Sequence, residues 1–197
     1  MSDIIIKNLC KSFGNNLVLK NVNLKIKEGS ITCIMGQSGQ GKTTILNILM
    51  GFEKADSGEI LNLPKNKSAV FQENRLCENF SVFSNIRLVN DDVTEDTILS
   101  HLCAVGLKNQ AYQKVSTLSG GMKRRVALVR AILAKKDILF LDEALKGLDE
   151  DTKEATIQYI LKNCKDTTVL MVTHQKDEAL KLHANIVYLK DGKILTE

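Results

Sequence analysis

The chain has 197 residues, of which 44% are hydrophobic and 25% charged, and its formal net charge is +4. This composition is typical of one globular domain, or of one domain with an insertion, that is long enough to bury a sizeable core. No apolar run approaches the roughly 20 residues that span a bilayer, and the first residues lack a signal-peptide pattern. We therefore expect a cytosolic protein, which a partner could hold at a membrane. A mildly basic charge does not by itself indicate nucleic-acid binding.

The cysteines are five in number and include no C-x-x-C pair. An odd count without such a pair argues against a disulfide framework or a zinc site. We predict that all of them are buried, reduced thiols. They are Cys10, Cys33, Cys77, Cys103 and Cys164.

Residues 4–27 show the pattern of antiparallel β-strands, because apolar residues alternate with polar ones along 21–27 and a turn signal interrupts the run at 14–16. Phe13 comes just before this turn. An aromatic side chain there could stack on a base, although a place in the core is the more common role for phenylalanine.

The next segment matches the phosphate-binding pattern G-x-x-x-x-G-K-[ST], and we call it the phosphate loop. An apolar run at 31–35 precedes it and a helix-like stretch at 45–50 follows, which is the strand–loop–helix context that the motif requires. Glycines let backbone N–H groups turn towards phosphate oxygens, and the helix adds its positive end. Lys42 can reach the β and γ phosphates, and the Thr43 hydroxyl can bind Mg²⁺. The phosphate loop consists of Gly36, Gln37, Ser38, Gly39, Gln40, Gly41, Lys42, Thr43 and Thr44.

Residues 59–63 and 68–72 indicate two short strands, and the second ends in Gln72. Ligands collect at the carboxyl ends of strands in open α/β sheets. Residues 73–117 contain no long β-like run, and 80–88 and 94–104 have helical patterns. We predict a helical insertion of about 45 residues in an otherwise α/β chain.

Ser119, Gly120 and Gly121 open a helix that is predicted to run to Lys135. Bare N–H groups and a hydroxyl at a helix start could form a second anion site. The basic residues 123–125 add positive charge. The alternative is a flexible turn followed by a solvated basic face.

Residues 138–142 form an unbroken apolar run that ends in Asp142 and Glu143. A strand that is apolar on both faces belongs inside a parallel sheet. Asp142 could then hold Mg²⁺ beside the phosphate loop, and Glu143 could orient or deprotonate the water that attacks the γ-phosphate. The alternative is a pair of acidic residues in a loop.

A second all-apolar strand at 168–172 leads to His174, which could reach the γ-phosphate. A lone histidine usually has no such role. Between these strands lie a turn at 147–149 and an amphipathic helix at 151–163, and a helix at 175–182 and a hairpin at 186–195 close the chain.

Together these motifs resemble the nucleotide-binding subunit of ATP-binding cassette (ABC) transporters, over about residues 3–195. The phosphate loop resembles Walker A, 70–73 the Q-loop, 118–122 the family signature, 138–142 Walker B and 147–149 the D-loop. The resemblance implies a P-loop NTPase (RecA-like) α/β core with an antiparallel β subdomain, formed by 1–72 and 118–197. It also implies an inserted helical subdomain at about 73–117, all within one domain.

The resemblance further implies ATP and Mg²⁺ as cofactors and a head-to-tail dimer, of two copies or of homologous subunits. Lys42, Glu143 and His174 would act in catalysis, and Phe13 would stack on adenine. Ser119, Gly120, Gly121 and Asp149 would contact the ATP that the other subunit holds, and Thr43, Gln72 and Asp142 would bind the metal. The chain would power a transporter from the cytoplasmic face of the membrane, with permease subunits docked on the helical subdomain and no nucleic-acid partner.

Segments 70–73 and 172–179 and Met122 are similar to importer ATPases of the nitrate, sulfonate and taurine type. Ala144 and the pair Glu73-Asn74 depart from the common proline-containing patterns. Because the chain ends soon after the hairpin, we expect no C-terminal regulatory domain.

Three other functions fit parts of the sequence. A soluble ABC-type ATPase could act on ribosomes, DNA or Fe–S assembly, but such proteins often carry two cassettes, long coiled coils or zinc modules. A P-loop kinase would need an acceptor pocket and a lid in place of the signature and His174. An ATP-binding switch without turnover would not need Glu143.

Overall fold

The computed structural model describes residues 2–196 of the chain. The strands are β1 Ile4–Phe13, β2 Asn16–Ile26, β3 Ile31–Met35, β4 Ser57–Leu61, β5 Lys67–Val70, β6 Ile138–Asp142, β7 Thr168–Val172, β8 Asn185–Lys190 and β9 Lys193–Thr196. The helices are α1 Lys42–Met50, α2 Val82–Arg87, α3 Glu95–Ala104, α4 Gly120–Leu133, α5 Glu150–Asn163 and α6 Lys176–Lys181. Two short 3₁₀ turns lie at Lys108–Gln110 and Val115–Thr117.

Two sheets organise the fold. The larger has six strands in the order β5-β6-β7-β3-β8-β9. The first five strands in this order are parallel, and β9 runs antiparallel to β8. The smaller is antiparallel, with the order β2-β1-β4. The predicted α/β fold with an N-terminal antiparallel sheet is confirmed.

The central strands β6 and β7 are buried at every residue, as their apolar sequences predict. Successive side chains point to opposite faces of a sheet. Ile138 and Phe140 therefore pack with α1 and the antiparallel sheet, whereas Leu139 and Leu141 pack with α4 and α5. Burial on both faces fixes β6 in the sheet, and so it fixes where the acidic residues at its end emerge.

Residues 73–117 contain α2 and α3, close to the helices that the sequence predicts. The Ser81 hydroxyl caps α2 by accepting from the Ser84 N–H, and the Thr94 hydroxyl caps α3 by accepting from the Thr97 N–H. The assignment of this segment as a separate subdomain stays a prediction.

A polar contact joins α3 to α5. His101 Nδ1 lies 2.7 Å from the Tyr159 hydroxyl oxygen. Burial lowers the pKa of His101, and the positive charges of Lys162 and Lys136 lower it further. The uncharged imidazole is therefore the form that suits this contact.

All five cysteines are free thiols. Cys33 and Cys164 are buried and Cys10 is half-buried, but Cys77 and Cys103 are exposed. The prediction of buried thiols is therefore wrong for the last two. Cys77 lies in the loop before α2, and Cys103 lies off the buried face of α3 that Ile98 and Leu102 form.

The two longest helices, α4 and α5, have 14 residues each. Within residues 2–196 we find no helix with both the length and the apolar character that a transmembrane span requires.

Candidate functional site

The phosphate loop connects β3 to α1 and lies between β8 and β2. The backbone of Gly41 is left-handed (φ 97°), and a Cβ there would lie 2.8 Å from Val18 Cγ1. A Cβ on Gly36 would lie 2.4 Å from the Leu189 carbonyl oxygen, closer than any real contact allows. These two positions therefore have no room for a larger residue, and neighbouring strands hold the loop in shape from both sides.

Lys42 opens α1 and folds back over the loop. Its Nζ atom donates to the carbonyl oxygens of Gly36 at 2.8 Å and Gln37 at 2.7 Å. No side chain among the described residues caps the first turn of α1. Its N–H groups therefore remain available to an anion.

The carboxylate of Asp142 reaches this helix start from the end of β6. Asp142 is 6% exposed, and its Oδ2 atom accepts a hydrogen bond from the Thr43 hydroxyl at 3.3 Å. Burial raises the pKa of Asp142, and the hydrogen bond from Thr43 and the charges of Lys42 and Arg124 oppose this rise. Burial lowers the pKa of Lys42, and the negative charges of Glu143 and Asp142 oppose this decrease.

Glu143 follows in a left-handed conformation (φ 49°) that turns the chain sharply away from β6. Its Oε2 atom accepts from Lys146 Nζ at 2.7 Å, and its Oε1 atom lies 3.3 Å from His174 Nδ1. Burial raises the pKa of Glu143, but the contacts with Lys146 and His174 outweigh burial and leave it below its usual range. The carboxylate is therefore held on both oxygens.

A buried hydrogen-bonded pair, Thr173 and Glu178, fixes the segment that carries His174. The Thr173 hydroxyl donates to Glu178 Oε2 at 2.6 Å and accepts from the Gln175 N–H at 3.1 Å. Burial raises the pKa of Glu178. This pair sets the path of the chain from β7 into α6, and so it sets the position of His174 beside Glu143.

A cavity of about 310 Å³ lies over the phosphate loop. It brings together most of the residues that the sequence predicts for the cis site, with Phe13 49% exposed at its edge. Gly36, Gln37 and Gln40 line a neighbouring cavity against β8 instead, where Gln40 Oε1 accepts from the Asp191 N–H. The predicted residues that line the first cavity are Phe13, Ser38, Gly39, Gly41, Lys42, Thr43, Thr44, Gln72, Asp142 and Glu143.

The residues predicted to act on a second subunit's nucleotide do not line this cavity. Ser119 caps α4, where its hydroxyl accepts from the Met122 N–H at 3.3 Å, and Gly120 and Gly121 form the first turn. Asp149 caps α5 by accepting from the Thr152 N–H at 3.0 Å. All four stand at helix starts.

Sequence reasoning missed two basic side chains. Arg124 is not part of a solvated basic face, as that alternative would require, because it is 6% exposed and donates to the carbonyl oxygens of Phe71 and, at 2.8 Å, Gln72. Arg124 lies four residues before Leu128, and this helical spacing is the sequence signal that it shares the buried face of α4. Lys146, in the turn after β6, gave no signal in the sequence.

Arg130, six residues further along α4, donates to the carbonyl oxygens of Arg75 at 3.0 Å and Asn74 at 3.3 Å. The two arginines therefore hold four carbonyls of the segment after β5. The helix that starts at Ser119 is in this way tied to the backbone of Gln72.

Residues 19–146 match the family model described as "ABC transporter". The chain belongs to the ABC transporter family. The order of the motifs and the observed sheet agree with this assignment, and the family's ATP-binding domain implies that the chain binds ATP. The match also favours the transporter hypothesis over a P-loop kinase.

Relatives of the chain include proteins named as import or transport ATP-binding proteins. It is 34% identical over 207 residues to the spermidine/putrescine import ATP-binding protein PotA of Mesoplasma florum, and 37% identical over 208 residues to that of Spiroplasma citri. Each match covers 96% of the chain but 59% of the relative, so the chain spans little more than half the length of these proteins. It is also 35% identical to the bicarbonate transport ATP-binding protein CmpD of Synechococcus elongatus, over 96% of the chain and 76% of that protein.

Among solved structures, a bacterial Atm1-family ABC exporter with ATP bound superposes with a TM-score of 0.86 at 22% identity. The match covers 98% of the chain and 38% of the exporter chain. At this identity the likeness shows the fold alone.

Proposed function

We propose that the chain binds and hydrolyses ATP and thereby drives an ABC membrane transporter. One observation carries this proposal: a single cavity holds Lys42 and Thr43 of the phosphate loop beside Asp142 and Glu143 at the end of β6. Phosphate binding, metal binding and water activation are the three requirements of ATP hydrolysis.

The residues in the cavity fit ATP. A volume of about 310 Å³ suits the phosphates of a nucleotide and leaves the base at the rim, where Phe13 offers an exposed ring. The loop's glycines keep its backbone open, and α1 directs its first N–H groups at the same space. Lys42 supplies the positive charge for the β and γ phosphates.

The oxygen donors of the cavity fit Mg²⁺, which prefers hydroxyl, carboxylate and amide oxygens. The Thr43 hydroxyl and the Asp142 carboxylate already meet at 3.3 Å, and Gln72 lines the same cavity. These three residues would hold the ion. When bound, Mg²⁺ neutralises negative charge on the phosphate oxygens.

In the proposed reaction, Glu143 orients the attacking water and accepts its proton. His174 Nδ1 lies 3.3 Å from Glu143 Oε1, and it would position the carboxylate relative to the terminal phosphate. Phosphoryl transfer depends mainly on such positioning and on charge stabilisation.

The opposite wall of the site would come from a second copy or a homologous subunit. Exposed Ser119 and Gly120 and half-buried Gly121 form a helix start outside the cis cavity, with the N–H groups and hydroxyl that suit a γ-phosphate. Two subunits that close head to tail would bring this helix start, and Asp149, over the partner's ATP. One chain alone would bind ATP and hydrolyse it poorly.

The membrane partner would dock in a groove of about 470 Å³ between the end of α1, β5 and α4. Phe52 is 62% exposed there, and its ring lies 5.8 Å from that of Phe71. Val89 contributes from the helical segment, and Arg130 contributes from α4. The resemblance implies that permease subunits dock on the helical subdomain, but of the described residues that line this groove only Val89 belongs to 73–117. A permease segment in the groove would place the chain at the cytoplasmic face of the membrane.

Dimerisation tests the proposal. Glu143→Gln keeps the cavity but removes the proton acceptor, so with ATP and Mg²⁺ we expect light scattering to show twice the monomer mass. Lys42→Ala should abolish hydrolysis, because it removes the cation for the phosphates. ATP-loaded Glu143→Gln that stays monomeric, or a Lys42→Ala variant with normal turnover, would contradict the proposal.

Ser119→Arg separates the two halves of the site. A large cation at the start of α4 should block closure, so nucleotide binding to one chain is retained and the dimer is lost. Normal dimer formation by this variant would refute the trans role of Ser119. Gentle purification from the native membrane should bring a polytopic membrane protein with the chain, whereas a ribosome or DNA complex would favour the soluble alternative.

A further inference from the structure

Lys146 forms a close ion pair with the residue proposed to activate water. Its Nζ atom lies 2.7 Å from Glu143 Oε2, and within residues 2–196 Glu143 is the only hydrogen-bonding or ion-pair partner of its side chain. Half of the Lys146 side chain is exposed, against 18% for Glu143. An exposed lysine with one partner is free to change that partner, because its stem rotates at little cost.

The same lysine lines the cavity over the phosphate loop. Lys42, the other ammonium there, is tied to the carbonyl oxygens of Gly36 and Gln37 and is 8% exposed. Lys42 is therefore held by two backbone acceptors, whereas Lys146 has a single side-chain partner to exchange. If Glu143 orients a water on the terminal phosphate, an ammonium 2.7 Å from its carboxylate is within a side-chain rotation of that phosphate.

The charges in the cavity favour such a movement. Lys42 and Lys146 balance Asp142 and Glu143, so the four groups have no net charge at neutral pH. A terminal phosphate is a stronger anion than one carboxylate, and lysine is a good point-charge ligand for phosphate. His174 contacts the other oxygen of Glu143, so the carboxylate keeps a partner if Lys146 leaves.

We propose that Lys146 binds the terminal phosphate of a nucleoside triphosphate and gives up its ion pair with Glu143 to do so. This inference rests on the proposed function of the site. A diphosphate lacks the phosphate that competes for the ammonium, so with ADP the ion pair persists. The exchange frees one Glu143 oxygen to accept a proton only when there is a γ-phosphate to hydrolyse, and it makes Lys146 a sensor of that phosphate.

The test compares a non-hydrolysable triphosphate, adenylyl imidodiphosphate, with ADP, both with Mg²⁺, by calorimetry at protein concentrations where light scattering shows a monomer. Lys146→Met keeps the length of the side chain but removes its charge. It should weaken triphosphate binding by about 3- to 10-fold and leave ADP binding within about 2-fold, as expected for one partly exposed charged contact. Lys146→Arg should restore most of the loss.

Lys25→Met is the matched control. Lys25, near the end of β2, pairs with Asp3 at 2.8 Å and does not line the cavity, so its loss should change neither affinity. Equal weakening of triphosphate and diphosphate binding by Lys146→Met would show a merely structural role and overturn the inference. Unchanged or tighter triphosphate binding would also overturn it. A wild-type chain that binds neither nucleotide would instead refute the proposed function itself.

A double-mutant cycle tests the exchange. The cycle is built on Ser119→Arg, which should block the dimer, and there Glu143→Gln removes the carboxylate that holds Lys146, so triphosphate binding should tighten. In the double variant Glu143→Gln/Lys146→Met this gain should disappear, because there is no ammonium to release. Equal gains in the presence and absence of Lys146 would refute the exchange.

Discussion

Arg124→Met should loosen the segment that carries Gln72. Arg124 donates to the carbonyl oxygens of Phe71 and Gln72 from a site that is 6% exposed. Methionine fills a similar volume but has no donor. Two partly buried carbonyls would then lose a partner, in a segment that continues from the edge strand β5.

The magnitude follows from the bonds that are lost. A hydrogen bond from a charged donor contributes about 1.5–3 kcal/mol, so two give about 3–6 kcal/mol. Part of this free energy is recovered, because the variant no longer has to bury a guanidinium group. The same cost of burial lowers the pKa of Arg124, although the charges of Asp142 and Glu143 oppose this shift. We expect a net loss of about 2–3 kcal/mol, which corresponds to a melting temperature lower by roughly 4–12 °C for a domain of this size.

Thermal unfolding of the purified chain measures this effect, with Lys123→Met as the matched control. Lys123 precedes Arg124 and pairs with Glu78 at 2.7 Å, but Glu78 is largely exposed, so losing that pair should cost about 0–1 kcal/mol. Arg124→Lys should give an intermediate loss, because an ammonium can still serve one carbonyl. If Arg124→Met melts within about 2 °C of the Lys123→Met control, the two hydrogen bonds do not stabilise the fold as we argue.

Two further predictions concern the phosphate loop and the contact between α3 and α5. Gly36→Ala should destabilise the chain by about 1–3 kcal/mol in urea unfolding, because its Cβ meets the Leu189 carbonyl at 2.4 Å, whereas Gly120→Ala meets no atom within 4 Å and should leave stability unchanged or slightly raised. Equal losses would contradict the steric argument. His101 has a folded-state pKa below its ordinary value of 6.5, so the unfolded chain takes up the proton first and stability should fall as the pH drops below about 6.5. His101→Gln should reduce this decline, measured by urea unfolding at about pH 7.5 and pH 5.5; an identical decline in the His101 variant would refute the assignment.

Local patterns predicted the fold well where one short segment determines its own environment. The apolar run that ends in Asp142 could only be a strand buried on both faces, and the structure confirms it at the centre of the sheet. The phosphate loop was equally readable, because its glycines and Lys42 act within nine residues. The helical pattern predicted over 94–104 begins at Thr94, whose side chain is the observed cap.

The sequence could not reveal contacts that depend on the backbone path of a loop. Arg124 finds its acceptors about fifty residues earlier in the chain, and the positions of Phe71 and Gln72 depend on where β5 ends. The Lys146–Glu143 pair depends on the left-handed conformation of Glu143, which no residue type in the sequence predicts. In both cases a backbone path, set by tertiary packing, decides what a basic side chain can reach.

The distribution of the thiols has a practical consequence for spectroscopy. The exposed Cys77 and Cys103 both belong to residues 73–117, whereas burial raises the pKa of Cys33 to about 12 and of Cys164 to about 11 and keeps those sulfurs out of reach of reagents. A maleimide dye added to the native chain should therefore label chiefly the helical part, with half-buried Cys10 reacting more slowly. One added cysteine on α5 would then let energy transfer follow the helical segment against the core during the ATP cycle, without removing any native residue from the interior.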